Sequence, residues 1–504
     1  MSKDTLLALQ NGSDIRGFAL DTDLHKKNLN EETIKAIASG LIQWWLSHNK
    51  GDMDELTIAI GHDSRLTGPD IKEWLSEVFV GLGVQVIDVG LATTPALFMS
   101  TQYEDFLADV GIMITASHLP MEYNGLKFFT NEGGLEHDDI HSILTFAEGE
   151  TGLSAQSKGK IVHKDLLSVY AKDLVSKIRK ALKVGEESQP LEGRKILVDA
   201  GNGAGGFFAE NVLKPLGADT TGSQFLDPDG TFPNHEPNPD NKEAMVSLSD
   251  AVLRHEADLG VIFDTDVDRS AIVDKNGNSI NRNNLIGLIG AIVLEENPAS
   301  TIVTNSPVSD HLIDFIESRG GKIDRYISGY RNVINRGIEL NNKGVDCALA
   351  IETSGHAALR ENYFLDDGAY LAAKIIAKEA ELSQKGKGVT DIIQSLKQPA
   401  ETKEIRFVIQ SESFKERGME LLELFAKWLN ETDGFELVLD NLEGKRSHIQ
   451  DPYGKGWLLL RMSLHEPKLV LQIENDVKGM IPIIEEKLKE FFYSFKELDT
   501  TQLS

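Results

Sequence analysis

Most of the residues in this sequence that could do chemistry lie in four short polar loops, each directly after an apolar run. They are Thr115-Ala116-Ser117-His118-Leu119-Pro120 after VGIMI, Asp264-Thr265-Asp266-Val267-Asp268-Arg269 after LGVIF, Glu352-Thr353-Ser354-Gly355-His356 after CALAI, and Arg461-Met462-Ser463-Leu464-His465-Glu466-Pro467 after WLLL. In the second loop Asp264, Asp266 and Asp268 alternate along the chain. Alternate residues of an extended chain point to one side, so three hard oxygen donors can converge on a hard cation. A calcium loop of the EF-hand type needs glycine and glutamate where this sequence has Arg269 and Lys275, which excludes it. The other reading of the triad is a solvated acidic turn. The preceding strand is wholly apolar and Arg269 abuts the acids, which favours metal binding.

In the first loop Ser117 stands beside His118, with Lys127 ten residues on. Together they supply a nucleophile, a polarising group and a proton carrier. A lysine base needs desolvation or neighbouring cations to lower its pKa, and Arg16 and Arg269 are candidates for that. A Ser-His pair alone is more often a simple turn, and only its partners lift it. Glu352 and Ser354, two residues apart, suit vicinal hydroxyls. Arg461 with Ser463 can cradle a phosphate dianion or can be an ordinary strand-end turn. The run Gly201-Asn202-Gly203-Ala204-Gly205-Gly206 satisfies the dinucleotide fingerprint after KILVDA. It lies in the second repeat and has only loose acidic partners in Asp219 and Asp227, so it reads as a tight packing turn.

Elements to position these loops are legible in the apolar spacing. Ile34, Ile37, Ala38, Leu41, Ile42 and Trp45 form one helical stripe, and Ile71, Trp74, Leu75, Val78 and Phe79 a second. Between such helices lie strand-length runs: LTIAI, VQVIDV, VGIMI, KILVDA, LGVIF, STIVT and CALAI. This alternation predicts α/β units with mostly parallel sheets, whose ligands lie beyond the carboxyl ends of strands. From about residue 405 the pattern changes to a helix at 412–429, three strand runs (FELVLDN, GWLLLRMS, KLVLQIE) and a last helix at 477–495. That order predicts an α+β domain with an antiparallel sheet. The expected domains are residues 1–160, 161–280, 281–400 and 401–504. We expect the four loops to converge on one cleft.

At 504 residues the chain is too long for one core. Its 79 acidic against 51 basic residues repel nucleic acid and anionic membrane, so neither is expected as a partner. The same surface repels phosphorylated metabolites at long range, so a phosphate site must carry its own cations. The lone cysteine, Cys347, lies in an apolar run and reads as a buried structural thiol. No secretory pattern opens the sequence, and its longest apolar run, at 285–294, is far short of the roughly 18–20 residues that a membrane span needs. These features predict a protein of the reducing cytoplasm.

Taken in order, the loops resemble those of the α-D-phosphohexomutase superfamily, and the match covers nearly the whole chain. TASHLP resembles the family's phosphoserine loop, DTDVDR its metal loop, IETSGH its sugar loop and RMSLHEP its phosphate loop. NGSDIRG, GHDSRLTG, VDAGNGAGG and PDGTFPNHEPNP are also similar to family segments. The resemblance implies three similar α/β domains and a C-terminal α+β domain around a central cleft. It implies interconversion of hexose 1- and 6-phosphates, of glucose or mannose, through a phosphoserine at Ser117 and a hexose 1,6-bisphosphate that also serves as activator. A phosphoryl oxygen on Ser117 would join Asp264, Asp266 and Asp268 around Mg²⁺. Arg16 and His118 would contact the phosphoserine, and Lys127 would act as general acid and base. Glu352 and Ser354 would read sugar hydroxyls, and Arg461 and Ser463 would hold the phosphate that is not reacting. Arg269 and the segment Gly329-Tyr330-Arg331 complete the expected substrate contacts, with arginine in the place of the usual lysine.

Ile351, Leu464, His465 and Arg331 depart from the family pattern. These departures keep a related activity open: synthesis of glucose 1,6-bisphosphate from a donor such as fructose 1,6-bisphosphate. A serine phosphohydrolase and a non-catalytic sugar-phosphate sensor are further alternatives.

Overall fold

Both apolar stripes read from the sequence lie on helices, Glu31–His48 and Gly68–Gly81, and most of their members are fully buried. The computed structural model describes residues 4–48, 52–149, 152–154, 158–411, 413–463 and 466–503. Chain contacts divide into two compact units, Met1–Leu285 with Ser354–Asp391 and Ile286–Thr353 with Ile392–Ser504.

In the first unit one sheet runs in the order Gln10–Asn11, Asp14–Phe18, Tyr123–Thr130, Val110–Ile114, Thr57–His62, Gln85–Leu91, Ile161–His163. Thr57–His62 pairs in parallel with both Gln85–Leu91 and Val110–Ile114, as predicted. Val110–Ile114, however, is antiparallel to Tyr123–Thr130, which is antiparallel in turn to Asp14–Phe18. The second sheet has the order Ser279–Ile280, Ser270–Asp274, Leu259–Phe263, Ile196–Asp199, and only its last pair is parallel. The expectation of mostly parallel sheets is corrected here for a physical reason. The serine and acidic loops are too short to carry a crossover, which takes a dozen or more residues, so each closes an antiparallel hairpin.

The second unit holds a parallel trio, Lys322–Tyr326, Thr301–Asn305 and Cys347–Ile351. Its other sheet is antiparallel, in the order Glu401–Val408, Lys468–Asn475, Gly456–Met462, Lys445–Ile449, Phe435–Leu437. Two of those five strands, Glu401–Val408 and Lys445–Ile449, are additions to the sequence reading. The flanking helices are Phe414–Asn430 and Met480–Phe492, and the last one begins only after Gly479, whose φ is +87°. Cys347 is buried, as expected. Among the described residues no helix is long and apolar enough to cross a membrane.

Candidate active site

Hairpin register places the first reactive groups. Met113 pairs with Lys127, and Arg16 pairs with Gly125 on the neighbouring strand, so both basic side chains start close beside the loop that carries Ser117. Ser117 adopts φ +51°, a left-handed conformation that costs a residue with a Cβ about 1–2 kcal/mol. Its N–H donates to Thr115 Oγ1 at 2.8 Å, and Thr115 donates in turn to Asp63 Oδ2 at 2.6 Å. Arg16 donates to the Ala116 carbonyl at 2.8 Å and to Asp14 at 3.0 Å.

The acidic hairpin tip meets this loop. Ser117 Oγ donates to Asp264 Oδ2 at 3.0 Å across 147 residues of sequence. Arg269 Nη2 approaches the same Oγ at 3.2 Å, while its Nε donates to Asp264 at 3.0 Å. Lys127 Nζ binds Asp268 and lies 3.4 Å from Asp266 Oδ2. Thr94 clamps Asp266 twice, its N–H donating to the carbonyl at 2.9 Å and its hydroxyl to the carboxylate. One carboxylate oxygen from each of Asp264, Asp266 and Asp268 lies within 4.8 Å of the others, and all three side chains are buried.

This donor set fits a hard divalent cation. Asp266 Oδ1 and Asp268 Oδ1 are buried with no hydrogen-bond partner, an arrangement that is costly unless something else binds them. Burial, reinforced by Asp268, pushes Asp264 well above the ordinary carboxylate range. Burial also works against ionised Asp268, but Lys127, His356 and Arg269 together outweigh it and hold that carboxyl low.

Two histidines are shifted in opposite directions. Burial, with Arg269 and Arg16 nearby, holds His118 well below the ordinary imidazole value. His118 is therefore neutral, and its Nδ1 accepts from Arg269 Nη2 at 2.6 Å. Burial disfavours charge on His356 too, but Asp366 and Asp268 overcome it and raise that imidazole to about 9. His356 Nδ1 binds Asp366 and stands 3.7 Å from Asp268.

The first unit thus brings together Arg16, Ser117, His118, Lys127, Asp264, Asp266, Asp268 and Arg269, and it also contains half-buried Ser354. Gly329, Tyr330, Arg331, Glu352, Arg461 and Ser463 belong to the second unit. There the Gly329 N–H, at φ +115°, donates to Glu352 Oε1 at 2.7 Å. Arg461 Nη1 donates to the Met462 carbonyl at 3.2 Å, and Ser463 N–H donates to the Lys468 carbonyl at 2.8 Å. Leu464 and His465 lie outside the described residues. The glycine-rich turn packs against the acidic loop: Ala204 N–H donates to the Thr265 carbonyl at 2.8 Å, and a Cβ on Gly203 would lie 2.7 Å from the Thr265 backbone.

Comparison with known proteins follows the same lines. Family models described as phosphoglucomutase/phosphomannomutase α/β/α domains I, II and III match residues 8–151, 169–277 and 281–399. The chain belongs to the phosphoglucomutase/phosphomannomutase family, within the α-D-phosphohexomutase superfamily. A phosphoglucomutase of Neisseria meningitidis is 30% identical over 433 residues, 86% of this chain and 87% of the relative. A phosphomannomutase/phosphoglucomutase of Pseudomonas syringae pv. tomato is 31% identical over 473 residues, covering 94% and 92%. In fold, a phosphoglucomutase/phosphomannomutase family protein of Burkholderia thailandensis superposes with a TM-score of 0.78 at 24% identity, covering 98% of each chain. The architecture is that of the phosphohexomutases, three α/β domains followed by a C-terminal domain with its own sheet.

Thr94, His356 and Asp366 were not singled out as site residues from the sequence. His356 had a visible signal, closing the IETSGH loop, whereas Thr94 meets Asp266, and Asp366 meets His356, only through tertiary packing.

Proposed function

We propose that this chain is a phosphohexomutase that interconverts hexose 1-phosphate and hexose 6-phosphate, of glucose or mannose, through a phosphoserine at Ser117. Supporting this reading above all is one contact, the Ser117 hydroxyl 3.0 Å from Asp264 and 3.2 Å from the Arg269 guanidinium. A hydroxyl oxygen so placed can carry a phosphoryl group against both a cation-binding triad and a fixed positive charge. Asp264, Asp266 and Asp268 would hold Mg²⁺, which when bound supplies charge neutralisation for phosphoryl transfer.

The chain's own residues divide the remaining work. Ser117 Oγ gives up the phosphoryl group to the free hydroxyl of the sugar phosphate, Lys127 in its neutral form takes that hydroxyl's proton, and the broken Oγ–phosphorus bond leaves a Ser117 alkoxide beside the Arg269 guanidinium, 3.2 Å away. The hexose 1,6-bisphosphate then presents its other phosphate, Ser117 recovers it, and Lys127 returns the proton. Arg269 and Arg16 steady charge on the phosphoryl oxygens, and neutral His118 offers its remaining N–H. Glu352 and Ser354 are proposed to read sugar hydroxyls, and Arg461, Ser463 and the Gly329-Tyr330-Arg331 segment to hold the distal phosphate. Hexose 1,6-bisphosphate is the proposed activator and the cytoplasm the proposed setting, with domain divisions near 160, 280 and 400.

A ³¹P NMR time course tests the proposal. Glucose, mannose and glucosamine 1-phosphates are each supplied with and without glucose 1,6-bisphosphate, and fructose 1,6-bisphosphate is then offered as donor. The expected result is 6-phosphate from glucose or mannose 1-phosphate, with Ser117→Ala reduced by at least ~10³-fold. Net bisphosphate from fructose 1,6-bisphosphate without mutase turnover would replace the proposal with a synthase, and inorganic phosphate alone with a hydrolase.

A further inference from the structure

Arg65 and Arg446 are the two largest fully buried side chains described, and nothing in the reaction above uses Arg65. It belongs to the turn Asp63-Ser64-Arg65 that follows the strand Thr57–His62. Its guanidinium points at the underside of the serine loop and binds three of that loop's backbone carbonyls and that of Tyr123, which opens the next strand. Nη1 donates to Pro120 and to Tyr123, each at 2.8 Å, and Nη2 donates to Leu119 and, at 2.5 Å, to Ser117 itself. Nε faces Asp63 Oδ2 at 3.4 Å. That same carboxylate oxygen accepts from Thr115, which accepts the Ser117 N–H.

We infer that Arg65 is a positioning residue for phosphoryl transfer, holding Ser117 in the left-handed conformation that aims its Oγ at Asp264. Ser117 is gripped on both sides of its Cα. Its carbonyl is held by Arg65 directly, and its N–H is held by Thr115, which Asp63 orients. No other side chain offers a planar fork able to bind four carbonyls at once, and a lysine ammonium in its place could not. A core that needed only filling would be served as well by an apolar residue, because burying an ion pair is rarely a net gain in stability.

The segment Pro228–Pro239, PDGTFPNHEPNP, closes the cage. Phe232 lies 5.3 Å from the guanidinium carbon, and a Cβ on Gly230 would lie 2.5 Å from Leu66 N.

The inference rests on the mutase reading, and the test separates the two. In the full chain, Arg65→Lys keeps the charge opposite Asp63 but loses the fork. Expected are a wild-type circular dichroism spectrum, a kcat lowered about 10²-fold and a KM changed less than about threefold, as for a nucleophile displaced by an ångström. Transfer of phosphate from glucose 1,6-bisphosphate to Ser117, followed by intact mass, slows in the same proportion, and millimolar guanidinium restores Arg65→Ala. A kcat within about threefold of wild type in Arg65→Lys overturns the inference. So does a loss that vanishes once activity is expressed per folded molecule. Should both Arg65 variants fail to fold, Phe232→Leu loosens the cage more gently, with kcat expected to fall about 3- to 10-fold at unchanged KM, and a wild-type kcat there is equally fatal. Absence of sugar-phosphate turnover in the wild type would sink the mutase reading alone, because the rate of Ser117 phosphorylation still reads the role of Arg65.

Discussion

Val267 has the least comfortable backbone in the acidic loop. It holds φ +65° while fully buried, and a β-branched residue in that region is an outlier. Its N–H donates to the Asp264 carbonyl at 3.3 Å and its carbonyl accepts from Gly368 at 3.1 Å, which keeps Asp266 and Asp268 to either side of a sharp bend. Strain of this kind costs about 1–3 kcal/mol, and burying a valine side chain returns about 1.5–3 kcal/mol. The two nearly cancel, which yields an unusual order of variants. Val267→Gly sheds both terms, whereas Val267→Ala sheds the burial and keeps most of the strain. Thermal unfolding should therefore rank glycine at or above alanine, and the reverse ranking would mean that the loop is not strained. Thr94 gives a second prediction at this scale. Thr94→Val keeps the shape but removes the hydroxyl that orients Asp266. Loss of such an outer partner weakens metal binding about 10- to 100-fold, so calorimetric Mg²⁺ affinity should fall by that factor, and an unchanged affinity would remove Thr94 from the site.

Hairpins, rather than strand-to-helix crossovers, deliver both reactive loops, and this decides what was legible in advance. Ser117 and the three aspartates could be read because each set is contiguous and follows an apolar strand. Pairing direction could have been read from the short spacing to the apolar runs that follow, YNGLKFFT and SAIVD. The strands Glu401–Val408 and Lys445–Ile449 escaped because charged residues interrupt them and only part of each is buried. Arg65, Thr94 and Asp366 escaped for a different reason. Their partners lie 52 to 172 residues away or across a loop, so although Arg65 falls within the segment GHDSRLTG, no local pattern shows what any of the three binds. The segment 228–239 shows how such distant contacts hold an element in place. His235 Nε2 lies 2.9 and 3.1 Å from the two oxygens of Asp199. Burial opposes the charge, but the bond to Asp199 outweighs it and raises the imidazole above its ordinary value. A raised folded pKa means that this contribution is complete below about pH 6.5, the unfolded value, and is lost as pH rises through the folded one. Hydrogen exchange in residues 228–239 should therefore accelerate in alkaline solution beyond the intrinsic chemical effect. In His235→Gln the excess should vanish, and its persistence would assign the pinning elsewhere.

On the scale of the molecule, the problem is negative charge. The chain carries a formal −28, yet its proposed substrates are phosphates and one fully buried polar cluster is three aspartates facing Lys127 and Arg269. A phosphoryl group on Ser117 would bring about two further negative charges to that cluster, so the folded state should depend on a divalent ion. A ligand that binds only the folded protein stabilises it by about 2.7 kcal/mol at a hundred times its Kd. Removing Mg²⁺ with a chelator should lower the melting temperature of the wild type, and adding it back should restore the value in a concentration-dependent way. Asp266→Asn separates this effect from generic salt stabilisation. In chelator the variant has one buried like charge fewer and keeps an oxygen to accept from Thr94, so it should melt at or above the wild type. With Mg²⁺ present the order should invert, because the wild type gains stability and the variant, short of one ligand, does not. If both proteins rise equally with Mg²⁺, or if the variant melts lower in chelator as well, the triad is an internally satisfied acidic cluster and the ion must act elsewhere.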